Sequence, residues 1–236
     1  MIPSQILFAS LEPGGTASFI LLLCTLALAC YYLASKVGRM KTRVIGITGT
    51  IASGKSLVGK ILREMAYPVL DTDKIAHELQ ATDEVLRARL RARFGDAIFS
   101  DSGKLDRKKL ASIVFNDKKA LQDLNALMHP VIMAECRRRI AELKDASFVF
   151  VEVPLLFEAG LQNEYDEIWI VIASEVEVRK RLKERDKLSD EEVEKRIRSQ
   201  FPQDVKVAGS DYVIDNSGTI NDARLRIQEL LNLERD

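Results

Sequence analysis

The sequence predicts an α/β fold, a doubly wound parallel sheet, and three observations predict it. Short apolar runs alternate with longer helical patterns along most of the chain. The runs are continuous rather than alternating, as strands buried on both faces require. The first run, Arg43 to Thr48 (RVIGIT), leads directly into a glycine-bounded loop and then an amphipathic helix. At 236 residues the chain has room for one such domain with insertions.

The elements follow in order. Tyr67 to Leu70 is a second strand, ending at Asp71-Thr72-Asp73. Helical patterns fill 74–94, and Asp101-Ser102-Gly103 marks a turn. Further helical patterns cover 106–116, 117–128 and 130–144, with Pro130 suited to open the last of them at its first turn. Ser147 to Val153 (SFVFVEV) and Ile168 to Ile172 (IWIVI) are strands, and Trp169 reads as a core residue. Residues 175–199 form a charged helical stretch that breaks near 188–190, where Ser189 can cap a second helix. A last strand at 212–214 and a helix at 220–234 close the domain. No internal repeat interrupts this pattern.

Composition narrows the function. Lys plus Arg equals Asp plus Glu, so the net charge is zero. That argues against a nucleic-acid binder held by bulk charge, while leaving room for a local anion pocket. Three cysteines, Cys24, Cys30 and Cys136, make no disulfide framework or zinc spacing and suit a reducing compartment.

Residues 1–39 differ from the rest. They carry only Glu12, Lys36 and Arg39 as charged groups, and 17–35 is a nearly unbroken apolar run. About 19 residues suffice to cross a bilayer as a helix. Lys36, Arg39, Lys41 and Arg43 would then hold the following domain on the cytoplasmic side. A second reading is that the segment is upstream sequence and the protein starts at Met40. A cleaved signal peptide fits less well, because no basic region precedes the run.

The loop is Gly49-Thr50-Ile51-Ala52-Ser53-Gly54-Lys55-Ser56, the pattern G-x-x-x-x-G-K-S of a phosphate-binding loop. Gly49 and Gly54 permit turns that a side chain would block. Main-chain N–H groups from Ala52, Ser53 and the helix start at Leu57 can then face phosphate oxygens, aided by the helix's positive end. Lys55 can reach the β- and γ-phosphates, and the Ser56 hydroxyl can ligate Mg²⁺. The chemistry implied is phosphoryl transfer from ATP.

Such transfer needs a base and cations on the moving charge. Ligands of parallel sheets sit at the carboxyl ends of the strands, which brings Asp71, Asp73, Glu152 and Pro154 toward the loop. Asp73 is the candidate base, with Asp71 supporting it or reaching a metal through water. Either aspartate could instead be a helix cap. Arg181 and Arg185, one helical turn apart, can stabilise the transferred charge; otherwise they belong to a solvated charged face. Arg196 is a weaker candidate. His129 reads as a substrate contact or an interdomain hydrogen-bonding residue, His77 as structural and Cys136 as inert.

Several segments in order resemble the dephospho-CoA kinase family. They are IGITGTIASGKS (45–56), DTDKIAHEL (71–79), LDRKKLASIVF (105–115), LNALMHPVI (124–132), VPLLFE (153–158), RLKERD (181–186), RIRSQ (196–200) and YVIDNSG (212–218). The likeness begins at Met40 and has no counterpart in 1–39. It implies a P-loop sheet with a helical substrate-binding insertion and a helical lid. The core would be 40–73, 146–174 and 201–236, the CoA-binding helices 74–145 and the lid 175–200. It implies ATP- and Mg²⁺-dependent phosphorylation of the ribose 3′-hydroxyl of dephospho-CoA, in the cytoplasm. Asp73 would match the family's catalytic aspartate. His129, Leu155, Leu156 and Glu158 would lie near the acceptor, and Asn216 near the ATP base. Thr50 departs from the family's usual second glycine, at a position with no evident need for one.

Two other functions stay open on the residues alone. One is another small-molecule kinase of this loop type, such as a nucleoside monophosphate kinase. The other is a membrane-anchored, non-catalytic nucleotide-binding regulator, motivated by the apolar N-terminal run.

Overall fold

The structure is a computed structural model that describes residues 42–233. The expected apolar anchor at 17–35 lies outside the described residues. Among those described, no helix is long and apolar enough to cross a membrane.

Five strands, β1 (Arg43–Gly49), β2 (Val69–Asp71), β3 (Phe148–Glu152), β4 (Glu167–Ile172) and β5 (Tyr212–Asp215), form one sheet in the order β2-β3-β1-β4-β5. Every pairing is parallel. β2 and β3 lie to one side of β1 and β4 and β5 to the other. The order therefore switches at the carboxyl end of β1, where a parallel sheet opens a crevice and where the glycine-bounded loop begins.

Alternation along β1 explains the two layers. Ile45 and Ile47 point to one face and pack with Val58, Ile61 and Leu62 of α1 (Lys55–Glu64) and Ile227 and Leu230 of α9 (Ile220–Leu233). An aromatic file of Tyr67, Phe150, Trp169 and Tyr212 runs across this layer edge to face, with centroids 5.2–6.2 Å apart. Trp169 is a core residue, as expected. On the other face, Gly46 lies beneath Leu156 and Tyr165, and Val151, Val153, Ile75 and Cys136 complete the packing. Each fully buried aliphatic side chain contributes about 1.5–3 kcal/mol.

Residues after β2 form a helical insertion: α2 (Thr72–Thr82), α3 (Glu84–Phe94), α4 (Arg107–Asn116) and α5 (Lys118–Glu142). Leu86, Leu90, Ile98, Leu110 and Met128 give it a core of its own. An aspartate caps each helix: Asp71, Asp83, Asp106 and Asp117 accept backbone N–H bonds from the first turns. Asp83 explains why the pattern over 74–94 is two helices. Pro130 does not open a new helix; α5 runs through it. Proline removes one helical hydrogen bond, but Ala120, Met128, Met133 and Cys136, buried on both sides of it, hold the helix on one axis.

After β4 come α6 (Glu175–Asp186), α7 (Asp190–Arg198) and the short α8 (Gln203–Ala208). Ser189 caps α7 in a full capping box with Glu192, as its sequence suggested. The helix α8 was not foreseen.

A β-carbon at Gly46 would lie 2.9–3.0 Å from Tyr165 and Leu156. Gly46→Ala is therefore expected to lower unfolding free energy in urea by about 1–3 kcal/mol; unchanged stability would contradict this packing.

Candidate active site

The phosphate loop is braced from behind. Asn216, buried after β5, donates its Nδ2 to the Ser53 carbonyl at 2.7 Å. Arg181 of α6 donates to the carbonyls of Ala52 (3.3 Å), Ser53 (3.2 Å) and Asn216 (2.7 Å). With its carbonyls held, the loop can turn N–H groups the other way, toward an anion. Gly54 adopts φ 103°, and a β-carbon there would sit 1.9 Å from Asn216 Nδ2. A β-carbon at Gly49 would sit 2.2 Å from the Val171 carbonyl. Ala52 takes a left-handed φ of 58°, while Thr50 does not, so Thr50 needs no glycine's freedom.

Not every loop amide remains for a ligand. The N–H of Ser53 donates to Thr50 O and that of Leu57 to Gly54 O. The Leu57 side chain packs partly against the core, while its N–H lies in the first turn of α1 with those of Lys55 and Ser56. The N–H groups of Lys55 and Ser56 open the first turn of α1, just after Gly54, where helix-terminal amides suit an anion. The first turn of α1 carries no acidic residue and no side-chain cap, which keeps its positive end open.

Lys55 arches over the loop, donating Nζ to Gly49 O (2.9 Å) and Thr50 O (3.1 Å). It lines a cavity of about 700 Å³ with Gly54, Ser56, Asp73, Arg181 and Arg185. The loop, the aspartate and both candidate arginines thus meet in one space. Asp71 and Asp73 differ in their partners. Asp71 caps α2, accepting from Asp73 N (3.0 Å) and Lys74 N (3.1 Å). Asp73 sits in the first turn and borders the cavity.

A second cavity of about 340 Å³ adjoins the first. His129, Ile132, Met133, Val153 and Leu155 line it, and Asp73, Pro154 and Gln200 border both cavities. Asp73 therefore stands between a space lined by Lys55, Arg181, Arg185 and Glu184, cationic on balance, and a largely apolar one.

Electrostatics follow this placement. Burial, then the nearby Lys206 charge, lowers Lys55 to about 8, against the opposing pull of Asp73, Glu152 and Glu158. Partial desolvation, then Asp71, raises Asp73 above the ordinary carboxylate range, while His77 and Lys55 pull it back. Burial lowers His129.

Comparison with known proteins gives a consistent result. A family model described as dephospho-CoA kinase matches residues 43–222. A dephospho-CoA kinase of Carboxydothermus hydrogenoformans is 40% identical over 190 residues, 80% of this chain and 92% of that one. A crystal structure from Thermus thermophilus superposes with a TM-score of 0.73 at 36% identity, covering 82% of this chain and 97% of that one. A dephospho-CoA kinase from Campylobacter jejuni superposes with a TM-score of 0.59 at 30% identity, covering 80% and 95%. The chain belongs to the dephospho-CoA kinase family.

Several positions that the dephospho-CoA kinase likeness placed near ligands have other partners here. Leu156 is wholly buried on Gly46 and does not reach the second cavity; its neighbour Leu155 does, and is exposed. Glu158 does not line that cavity; it holds buried Lys206 Nζ at 2.7 Å and accepts the Phe201 N–H at 2.9 Å. Asn216 grips the loop itself through Ser53. Arg185 borders the first cavity, but its guanidinium is paired with Asp186 at 2.7 and 3.0 Å, which also holds Arg196. Gln200 and Lys206 were missed: one closes the segment RIRSQ, and the other is a lysine between Val205 and Val207, a residue type that is rarely buried.

Charged Lys55 is the form that attracts a triphosphate, so binding takes up a proton above pH 8. The dissociation constant for ATP should rise as pH passes about 8, by up to about tenfold per unit. Asp73→Asn removes a charge that raises Lys55, so the rise should begin at lower pH in that variant. Calorimetric titration from pH 6.5 to 9.5 checks both; a flat profile would contradict the assignment.

Proposed function

We propose that this protein transfers the γ-phosphoryl group of ATP to the ribose 3′-hydroxyl of dephospho-CoA, giving CoA and ADP. The observation that supports it best is Asp73 at the partition between the two cavities. The loop amides and Lys55 hold the triphosphate in the cationic space. The adjoining space, walled by His129, Leu155 and Ile132, takes the acceptor. Asp73 then accepts the hydroxyl proton as the oxygen attacks. Its raised proton affinity suits that task, because a base nearer neutrality drives proton transfer better than an ordinary carboxylate. Arg181 steadies the loop beneath the transferring group, and Arg185 can swing from Asp186 to add charge.

Mg²⁺ fits the residues present. Among the described residues no cluster of three His, Cys, Asp or Glu could hold a metal by itself. Mg²⁺ needs no such cage, since it keeps water and takes substrate phosphate oxygens beside one or two protein ligands. Ser56, exposed at the first turn of α1 and lining the first cavity, offers its hydroxyl there; Asp71, whose Oδ1 caps α2, would act only through water. Bound in that place, the ion would neutralise charge on the β- and γ-phosphates.

Residues 40–73, 146–174 and 201–236 serve as the nucleotide core in this reading, 74–145 as the CoA-binding helices and 175–200 as the lid.

Purified protein given ATP and Mg²⁺ should release ADP with dephospho-CoA and not with AMP, CMP or adenosine. Preference for a nucleoside monophosphate would overturn the acceptor assignment. Asp73→Asn should lose turnover by about 10²–10⁴-fold while still binding ATP at pH 7. Near-normal turnover in that variant would remove Asp73 as the base.

A further inference from the structure

The chain leaving α7 ties the two walls of the cleft together. Gln200 Oε1 accepts the N–H of Ile51, at the crown of the phosphate loop, at 2.8 Å. Gln203 Oε1 receives a longer bond from Thr50 Oγ1 at 3.4 Å. One residue beyond Gln200, the Phe201 N–H donates to Glu158 at 2.9 Å. Glu158 lies just beyond Leu155, on the chain that walls the acceptor side, and holds the fully buried Lys206. Segment 200–206 is thus pinned to the acceptor side by a buried ion pair and to the phosphate loop by Gln200.

Gln200 is also one of three residues that border both cavities. Its partner amide is neutral and so is its own side chain. A carboxylate could accept the same bond but would bring a negative charge beside the triphosphate. A carboxamide provides the acceptor without that repulsion.

We propose that Gln200 is a positioning residue for phosphoryl transfer, fixing the crown of the phosphate loop relative to the acceptor wall. This rests on the kinase reading above. Transfer requires the attacking oxygen, the phosphorus and the leaving oxygen to lie roughly in line. Binding of each substrate alone needs only its own wall. Losing the tie therefore costs alignment and not affinity.

Gln200→Leu keeps the bulk and cannot accept the Ile51 N–H. Gln200→Asn keeps the amide but is one methylene shorter. Both should lower kcat by about tenfold to a hundredfold, the order of cost of misplacing reacting groups by an ångström. KM for ATP and for dephospho-CoA should each move by less than about threefold, with the melting temperature unchanged. Steady-state kinetics and thermal unfolding of wild type and both variants test this. Wild-type kcat in Gln200→Leu, or in Gln200→Asn, overturns the proposal. So does a loss that tracks a lower melting temperature or higher KM, which marks a merely structural residue. A wild type inert toward dephospho-CoA sinks the kinase reading and this proposal together; an active wild type matched by Gln200→Leu sinks this proposal alone.

Discussion

The carbonyl of Ser53 carries the site. It accepts from Arg181 and Asn216 at once, one reaching in from α6 and the other from the end of β5. A hydrogen bond from a charged donor is worth about 1.5–3 kcal/mol, and here it does more than stabilise. It rotates the peptide planes at the base of the loop so that the next N–H groups can converge on an anion. Arg181 donates to the Ala52 carbonyl as well, which offsets the left-handed turn at Ala52, a conformation that costs an alanine about 1–2 kcal/mol. The close fit of Gly54 against Asn216 leaves no room for a side chain. Without this brace Lys55 would have no fixed arch to sit on, and Asp73 would face a loop of no set shape.

The second constraint is the buried Lys206–Glu158 pair. A buried lysine is expensive unless paired, and it is paired at 2.7 Å. Its charge also reaches Lys55 and lowers that residue's proton affinity. One ion pair therefore anchors the segment that follows α7 and adjusts the cation over the loop. Neither effect needs contact with a substrate, which is why both residues sit out of the cavities.

Much of this was legible in the sequence. The strand, loop and helix of 43–64 follow from local rules: continuous apolar residues, two glycines at required turns and an uncapped helix start. Asp73 was legible because a strand end beside a phosphate loop faces the crevice. What the sequence did not show is tertiary in origin. That Leu155 lines the second cavity while Leu156 is buried depends on how one turn after β3 settles onto Gly46. The break expected at Pro130 is a local preference that packing along α5 overrides. Glu158 and Asn216 are polar residues near a site, and only the folded chain reveals that their partners are Lys206 and the Ser53 carbonyl. The helix α8 is too short and too polar to announce itself. Arg181 was placed in the site by its spacing from Arg185, yet only the structure separates the arginine that braces the loop from the one paired with Asp186.

The central claim is that one carboxylate divides the phosphate space from the acceptor space. It is tested most directly by a crystal structure of the protein with a non-hydrolysable ATP analogue, Mg²⁺ and dephospho-CoA. The account predicts the γ-phosphate against Lys55 and the acceptor's 3′-hydroxyl within about 2.6–3.2 Å of an Asp73 carboxylate oxygen. A 3′-hydroxyl bound away from Asp73, with another group beside it in the closed complex, would contradict it.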